Sequence, residues 1–365
     1  MTRLANRSLL RGFLLPACTA ILGAAAACSP GYVLRAGWEE ARILGSRRPI
    51  REVVHDTTAP AEVRAKLRLV QDSRDFARQA LGLDPGESYR SYAEVTSDTL
   101  LLVVTAAEEF ALRWKTWWFP IVGRVPYRGY FDFGKALEEG RRLERQGYDV
   151  SVRPTSAFST LGWLPDPLLS TTLALDSVSL VETVVHEITH TTFFPAGQAH
   201  FNESFANFVG NRGAVTFFCD AVRDERLCER ARRRWEDTRT FGRFFRSILE
   251  PLEELYAQEL PPPEMRRRKR DVFEKAAERF RDQVRPRLRA GRYGTLDPES
   301  LNNAWILSRL LYYTRLDDFE AVYRRSGDLR SAVRMILEKA AAGDPWRALD
   351  ELQRADDATA APEKG

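Results

Sequence analysis

The spacing of apolar positions changes near the middle of the chain, where a mixed first half gives way to a helical second half. In the first half, apolar residues recur every three or four positions at 59–83 and predict a helix there. An uninterrupted apolar run predicts a strand at 99–105, and a charged helix at 134–146 precedes a predicted strand at 148–153. The stretch at 114–133 is dense in aromatic residues, glycine and proline, and predicts an ordered loop.

The second half is predicted to be almost wholly helical. Three prolines at 261–263 end the longest apolar pattern, because proline lacks the amide hydrogen that a helix interior needs. Strands followed by helices predict an α+β fold, with a β-containing part at 29–177 and a helical part at 178–355. A small polar tail at 356–365 is predicted to fray. The helices are predicted at residues 178–192, 201–213, 220–258, 265–290, 298–314 and 328–342.

Composition is that of an ordinary globular protein. The 365 residues can bury a full core, and the net charge is only +4 at pH 7. Basic runs at 232–234 and 266–270 lie beside acidic residues, as on solvated helix surfaces. Because no aromatic-basic face or nucleic-acid reader motif accompanies them, the sequence predicts no nucleic-acid partner. It leaves the oligomeric state open.

The segment 1–28 has the pattern of an export signal. Three early arginines precede an apolar run at 13–27, which is too short to span a bilayer comfortably. Small residues directly before Cys28 resemble the lipobox of bacterial lipoproteins, although a leucine is usual where Ala25 stands. The resemblance implies lipidation of Cys28, and Ser29 after it suggests the outer membrane, facing the periplasm. The alternative is a plain signal peptide that is cleaved nearby.

Cysteine usage agrees with export. Cys18 would leave with the signal and Cys28 would carry lipid, so that Cys219 and Cys228 remain. In an oxidising compartment these two can form one disulfide. The alternative is a pair of unbonded structural cysteines, because spacing alone does not prove a bond.

The segment His186-Glu187-Ile188-Thr189-His190 is an HExxH motif. On a helix, positions i and i+4 share one face, so that the imidazoles of His186 and His190 can bind one zinc ion. Glu187 lies about 100° round the helix and can take a proton from water at the metal. In the alternative interpretation, both histidines are ordinary hydrogen-bonded residues.

Catalytic zinc commonly has three protein ligands, and Glu203 is the preferred third one. Glu203, Ala206 and Gly210 share one face of a predicted helix, and the small residues would let it approach the HExxH helix closely. His200 is the competing ligand, although its spacing from His190 is longer than the metzincin pattern. His200 can also be a supporting group, a substrate contact or a plain surface residue.

The motif pair HEITH and NESFA resembles that of the gluzincin metallopeptidases. The chain resembles more closely the bacterial Putative aminopeptidase family, through residues 31–32, 119–131, 160–163, 166–167 and 301–304. The resemblance implies a single zincin-like domain, bound zinc and a peptide substrate. Two departures affect the aminopeptidase assignment more than the metallopeptidase one. Only 12 residues separate the second histidine from the glutamate, and the GAMEN sequence that binds a substrate N-terminus is absent.

Gluzincins use a tyrosine or histidine to stabilise the oxyanion of the tetrahedral intermediate, and the resemblance makes Tyr312 the first candidate here, before Tyr313. Tyr127 and Arg128 are candidates to line the substrate cleft, where Arg128 can meet a carboxylate. Asn302 is a candidate to bind substrate backbone. For all of these residues the alternative is packing or the ordering of a helix junction.

Two functions are therefore open. The first is a zinc-dependent peptidase, an aminopeptidase by resemblance, in which Glu187 activates water. The second is a lipid-anchored envelope binding or assembly factor with a structural zinc site. An intact Glu187 favours the first, because a structural site does not need a base.

Overall fold

A computed structural model describes most of the chain. Predictions for the export signal and Cys28 lie outside the described residues, as do those for 160–163 and for most of the polar tail. The described protein is mostly helical with small sheets in its first half, so the α+β prediction is confirmed. No helix in this part of the chain has the length and apolar character needed to span a membrane. The described residues are 42–95, 101–119, 123–155, 167–291 and 294–357.

The described strands form three small sheets. One has the order β1-β2-β8, one has β6-β3-β7, and β4 pairs with β5. The 114–133 region contains β4, β5 and β6, so the prediction of a loop there was wrong, because strands of three or four residues are too short to show a clear alternation. The strands are β1 (Arg48–Pro49), β2 (Ser91–Ala93), β3 (Leu101–Glu108), β4 (Trp117–Phe119), β5 (Gly123–Val125), β6 (Tyr127–Tyr130), β7 (Tyr148–Thr155) and β8 (Leu168–Leu169).

The helices follow the predicted order. The longest pattern ends at the three prolines as expected, and two helices near the C-terminus, α10 and α12, were not predicted. The helices are α1 (Ile50–His55), α2 (Ala61–Gln79), α3 (Phe133–Arg145), α4 (Ser170–Leu173), α5 (Ser177–Thr192), α6 (Ala199–Thr216), α7 (Glu225–Tyr256), α8 (Pro262–Arg279), α9 (Asn303–Tyr313), α10 (Leu316–Ser326), α11 (Leu329–Ala340) and α12 (Pro345–Asp357).

The register of the β6-β3-β7 sheet gives its two faces different roles. Directly paired residues of antiparallel strands point to the same face. Val104 in the central strand pairs with Arg128, and this face packs against Ala136 and Leu143 of α3. Thr105 pairs with Tyr127 on the other face, which is turned away from α3. The sheet therefore has one face that is covered by a helix and one that is available to the rest of the molecule.

The largest apolar cluster surrounds α5 and α6. It includes the fully buried rings of Phe201, Phe205 and Phe208, which all contact Phe319 of α10: Phe201 edge-on, Phe205 tilted and Phe208 stacked. This aromatic cluster holds α6 in place on the side that faces away from α5. Val181, Val184, Val185 and Ile188 form an apolar stripe on α5 and are buried too, which makes α5 a core helix.

A disulfide joins Cys219 and Cys228. Cys219 lies in a π-helical turn, Phe217–Ala221, directly after α6, and Cys228 lies in the first turn of α7. The bond therefore fixes the corner at which the chain leaves α6 for the long helix α7.

Candidate metal centre

Helix α5 places the HExxH motif in its last turns. The helix begins after Asp176, whose carboxylate accepts hydrogen bonds from the amides of Val178 and Ser179 at 3.1 and 3.2 Å. Its apolar face is buried, so the rotation of the helix is fixed. The rings of His186 and His190 consequently emerge on one side, one turn apart and only partly exposed.

Helix α6 approaches α5 closely because glycine occupies the contact. A Cβ atom at Gly210 would lie 2.6 Å from the carbonyl oxygen of Glu182 and 3.1 Å from Cβ of His186. A Cβ atom at Gly213 would lie 2.9 Å from the side chain of Val185. No larger residue fits at this separation, so the small face predicted for α6 brings Glu203 to the histidines.

The three predicted ligands meet at one point. Nε2 of His186 lies 3.1 Å from Nε2 of His190, and Oε2 of Glu203 lies 3.4 and 3.6 Å from the same two atoms. A tetrahedral ion with bonds of about 2.0–2.1 Å holds its ligands roughly 3.3 Å apart. The three side chains therefore match the spacing of a metal-binding group, which is the grouping found among the described residues.

His200 is not part of this group. Burial lowers the pKa of its imidazole below the ordinary value. Among the described residues the structure thus brings Glu203, rather than His200, to the pair of histidines.

The charges of the triad favour an ionised carboxylate. Burial raises the pKa of Glu203, but the positive charge of His190 and hydrogen bonds from both histidines outweigh burial and hold this pKa well below its usual range. Burial lowers the pKa of His190, but Glu203 and Glu187 outweigh it and raise this pKa. A carboxylate that stays ionised beside two imidazole nitrogens is a donor set that suits a divalent cation.

Glu187 lies beside the triad and not in it. It is half-buried on α5, one position after His186. Its charge raises the pKa of His190 on one side and that of Tyr127 on the other. The carboxylate is therefore close to the metal-binding group but remains available for proton transfer.

Two phenol groups flank the triad. The ring of Tyr312 stacks on that of His186 with centroids 6.3 Å apart, and the charge of Glu203, followed by burial, raises the pKa of Tyr312. Tyr127 is 37% exposed. Burial, followed by Glu203, raises the pKa of Tyr127 to about 12. Both hydroxyls therefore keep their hydrogen at neutral pH and can donate it.

Arg153 is a site residue that the sequence did not indicate. It lies near the end of β7 and pairs with Val103, so it shares the face of Tyr127. Its charge lowers the pKa of both phenols, Tyr312 and Tyr127, against the larger effects that raise them. The only signal in the sequence was its position at the end of a predicted strand, which gave no reason to single it out.

Two residues predicted to contact substrate, Arg128 and Asn302, have contacts within the protein. Arg128 is on the α3 face of the sheet, with its guanidinium 5.5 Å from the ring of Tyr130, because neighbouring strand residues point to opposite faces. Asn302 accepts from the amide of Trp305 at 2.9 Å and donates to the carbonyl of Val150 at 2.8 Å. These contacts support the packing alternative for Arg128 and the helix-junction alternative for Asn302.

The fold and the site define the class of protein. It is an α+β protein in which two close helices present two histidines and a glutamate to one metal-sized space, with a further glutamate beside it.

The chain belongs to the family described as Putative aminopeptidase, whose model matches residues 31–347. No curated protein and no solved structure shows a significant match to the chain. Membership of this family suggests a peptidase.

Proposed function

We propose that the protein is a zinc-dependent peptidase. The observation that carries the proposal is the convergence of His186, His190 and Glu203 at mutual distances of 3.1–3.6 Å. Two imidazoles and one carboxylate, with room for water, form the ligand set of catalytic zinc sites. The family description supports peptide bonds as the substrate.

The residues around the triad have the chemistry that peptide hydrolysis needs. When bound, zinc supplies Lewis acidity that polarises a carbonyl and makes water more acidic. Glu187 accepts a proton from the attacking water and passes it to the leaving amine. Tyr312 donates a hydrogen bond to the oxygen that becomes negative, and Tyr127, whose pKa Glu203 also raises, is the second donor.

We further propose that the peptidase removes residues from the N-terminus of peptides. The family description supports this direction of cleavage. An exopeptidase is distinguished from an endopeptidase by its products, so mass spectrometry of a cleaved peptide mixture tests the direction. Single residues released in order from the N-terminus would support the proposal, and internal fragments would contradict it.

The peptidase proposal is tested on the full chain in mild detergent, beside its Glu187→Gln variant. Both should bind one zinc per chain by elemental analysis, while the variant loses about 10²–10⁴-fold in kcat because only the base is removed. Glu138→Gln, on the exposed surface of α3, is the matched control and should keep full activity. Zinc without cleavage in the unaltered protein would instead support an envelope binding factor with a structural metal, and absence of zinc would refute the site.

We also propose that the protein is exported and anchored by lipid at Cys28 to the outer membrane, facing the periplasm. The support is the export signal with small residues directly before a cysteine. Cells grown with labelled palmitate should label the chain, and Cys28→Ser should abolish labelling and release the protein from membranes. A labelled Cys28→Ser variant would contradict the proposal.

A further inference from the structure

Two phenylalanines follow the helix that carries the HExxH motif, and only the first of them faces the core. Phe193 has an extended backbone, with φ −153° and ψ 119°, so that it and its neighbour direct their side chains to opposite sides. Phe193 packs on the largest apolar cluster, edge-on to Phe201 with ring centroids 6.4 Å apart. Phe194 is consequently turned out of the core and is 38% exposed.

The exposed ring of Phe194 lies beside a proposed metal ligand. It stands edge-on to the ring of His190, with centroids 5.5 Å apart and the ring planes at 79°. His186, His190 and Phe194 recur every four residues, and α5 ends only two residues before Phe194, so the ring stays on the side of the histidines. Since Tyr312 contacts His186, each histidine has one further ring beside it, one polar and one apolar.

The main chain is held on both sides of Phe194. Before it, the hydroxyl of Thr192 accepts from the amide of Asp84 at 2.9 Å, which ties the end of α5 to the loop after α2. After it, the carbonyl of Pro195 accepts from the buried side-chain amide of Asn202 at 3.0 Å. Asn202 lies on α6 next to the third proposed ligand, so the backbone that carries the exposed ring is fixed relative to the metal-binding group.

We propose that Phe194 is a specificity-determining residue, whose ring contacts an apolar side chain of the peptide substrate next to the scissile bond. The inference rests on the proposed function and adds a substrate class to it, namely peptides with an aliphatic or aromatic residue beside the bond that is cleaved.

The reason is that an exposed aromatic ring gains free energy when an apolar group covers it, because apolar surface of both groups leaves water. Consecutive Cα atoms of a peptide are about 3.8 Å apart. A peptide whose reacting carbonyl lies at His190 therefore has the side chain of an adjoining residue within reach of a ring 5.5 Å from that histidine. A glycine there covers nothing, and a carboxylate loses hydration without gaining a partner.

The first test measures substrate preference with the full-length, zinc-loaded protein in mild detergent. The probes are alanine tetrapeptides in which either the first or the second residue is replaced by leucine, phenylalanine, glycine or aspartate, and mass spectrometry locates the bond that is cleaved. In one of the two sets, leucine should exceed glycine in kcat/KM by roughly tenfold. Phe194→Ala should remove most of this difference by slowing the leucine peptide. A ratio that Phe194→Ala leaves unchanged in both sets would overturn the inference.

Two further variants separate substrate contact from general damage. Phe194→Leu keeps an apolar side chain and should retain a preference for leucine over glycine. Leu137→Ala, at a 47% exposed position on α3, is the matched control and should leave the ratio unchanged. Equal losses on the leucine and glycine peptides in Phe194→Ala would count against a role in specificity.

Zinc affinity tests the other role that a ring beside His190 can have, which is to shield the ligand from water. Titration with a competing chelator should give the same zinc affinity for the unaltered protein and for Phe194→Ala. A weaker affinity together with an unchanged leucine-to-glycine ratio would assign shielding to Phe194 and refute the substrate contact.

The last test needs no cleavage. In the zinc-loaded Glu187→Gln variant, calorimetry should show the preferred leucine peptide binding about tenfold more tightly than the glycine peptide. Adding Phe194→Ala should bring the two values of Kd together, and equal Kd values before that change would refute the contact. Cleavage without any effect of Phe194 would refute this inference alone, whereas binding that depends on Phe194, without cleavage by the unaltered protein, would refute the proposed function alone.

Discussion

The helix pair α5 and α6 and the sheet β6-β3-β7 both contribute to the candidate site, but by different means. The helices hold the metal-binding group through spacing within a segment and through glycine at their contact. The sheet contributes Tyr127 and Arg153 through register, from strands that are distant in sequence. The helix pair therefore sets where an ion can bind, whereas the sheet adds polar side chains from distant parts of the sequence beside that position.

The strongest way to separate the two regions is to remove a ligand from the helices. Glu203→Ala should abolish zinc binding and lower kcat/KM by at least about 10³-fold, because the third ligand is lost. Melting temperature with and without added zinc measures the effect: zinc should stabilise the unaltered protein, by about 4 kcal/mol at a thousandfold excess over Kd, but not the variant. Tyr127→Phe should keep the zinc response. A zinc response that survives Glu203→Ala would contradict the ligand assignment.

Gly210→Ala tests the separation of the helices. The new Cβ atom would meet the carbonyl of Glu182 at 2.6 Å, so α6 must shift away from α5. We expect a loss of about 1–3 kcal/mol in the free energy of unfolding, with weaker zinc binding. Gly343→Ala, where the added atom meets nothing within 4 Å, is the control for calorimetry and metal titration. Equal stability of the two variants would show that the close approach is not required.

Two buried carboxyl groups should respond to acid in opposite ways: the one that contacts α6 should lose its contribution to the free energy of unfolding, and the one in the sheet should not. Burial raises the pKa of Glu320, but its contacts with Arg212 of α6 and other donors outweigh burial and lower it. A lowered folded-state pKa adds stability above the unfolded value, and this stability is lost as pH falls through the folded pKa. In the sheet, burial raises the pKa of Asp149 beside Lys269, so its contribution has the opposite sign.

Chemical denaturation between pH 7 and pH 3 measures this difference. Glu320→Gln should flatten the fall in stability towards acid, by an amount on the order of 1 kcal/mol. Asp149→Asn should not flatten it. The same slope in both variants would show that the two buried carboxyls are not distinguished in this way.

The smallest effect on kcat is expected for Tyr127, in strand β6. Tyr127→Phe removes one donor but leaves the ring, and Tyr312 remains to bind the oxyanion. A loss of about tenfold or less in kcat is expected, with zinc content unchanged. Steady-state kinetics beside Tyr312→Phe provides the comparison, and a larger loss in Tyr127→Phe would reverse the roles of the two tyrosines.

The parts of the site that could be predicted lie within single helices, where residues three or four positions apart share one face. His186 and His190 share a helix turn, and the small face of α6 follows from three residues in one segment. Arg153 was missed because its place depends on strand pairing, which no local pattern specifies. The face on which Arg128 lies could not be predicted either, since one residue of register decides it. The short strands β4 to β6 left too few positions for alternation to be visible.

The side chain of Asn303 has a consequence for the order in which the molecule is assembled. It is completely buried, donates to the carbonyls of Glu108, Glu109 and Ala111, and accepts from the hydroxyl of Tyr256. The first of these contacts spans 195 positions of sequence. During synthesis, the turn after β3 lacks the side chain of Asn303 until that residue, in the last quarter of the chain, has been added. Tyr312 arrives on the same late segment, so an incomplete chain cannot present the assembled site.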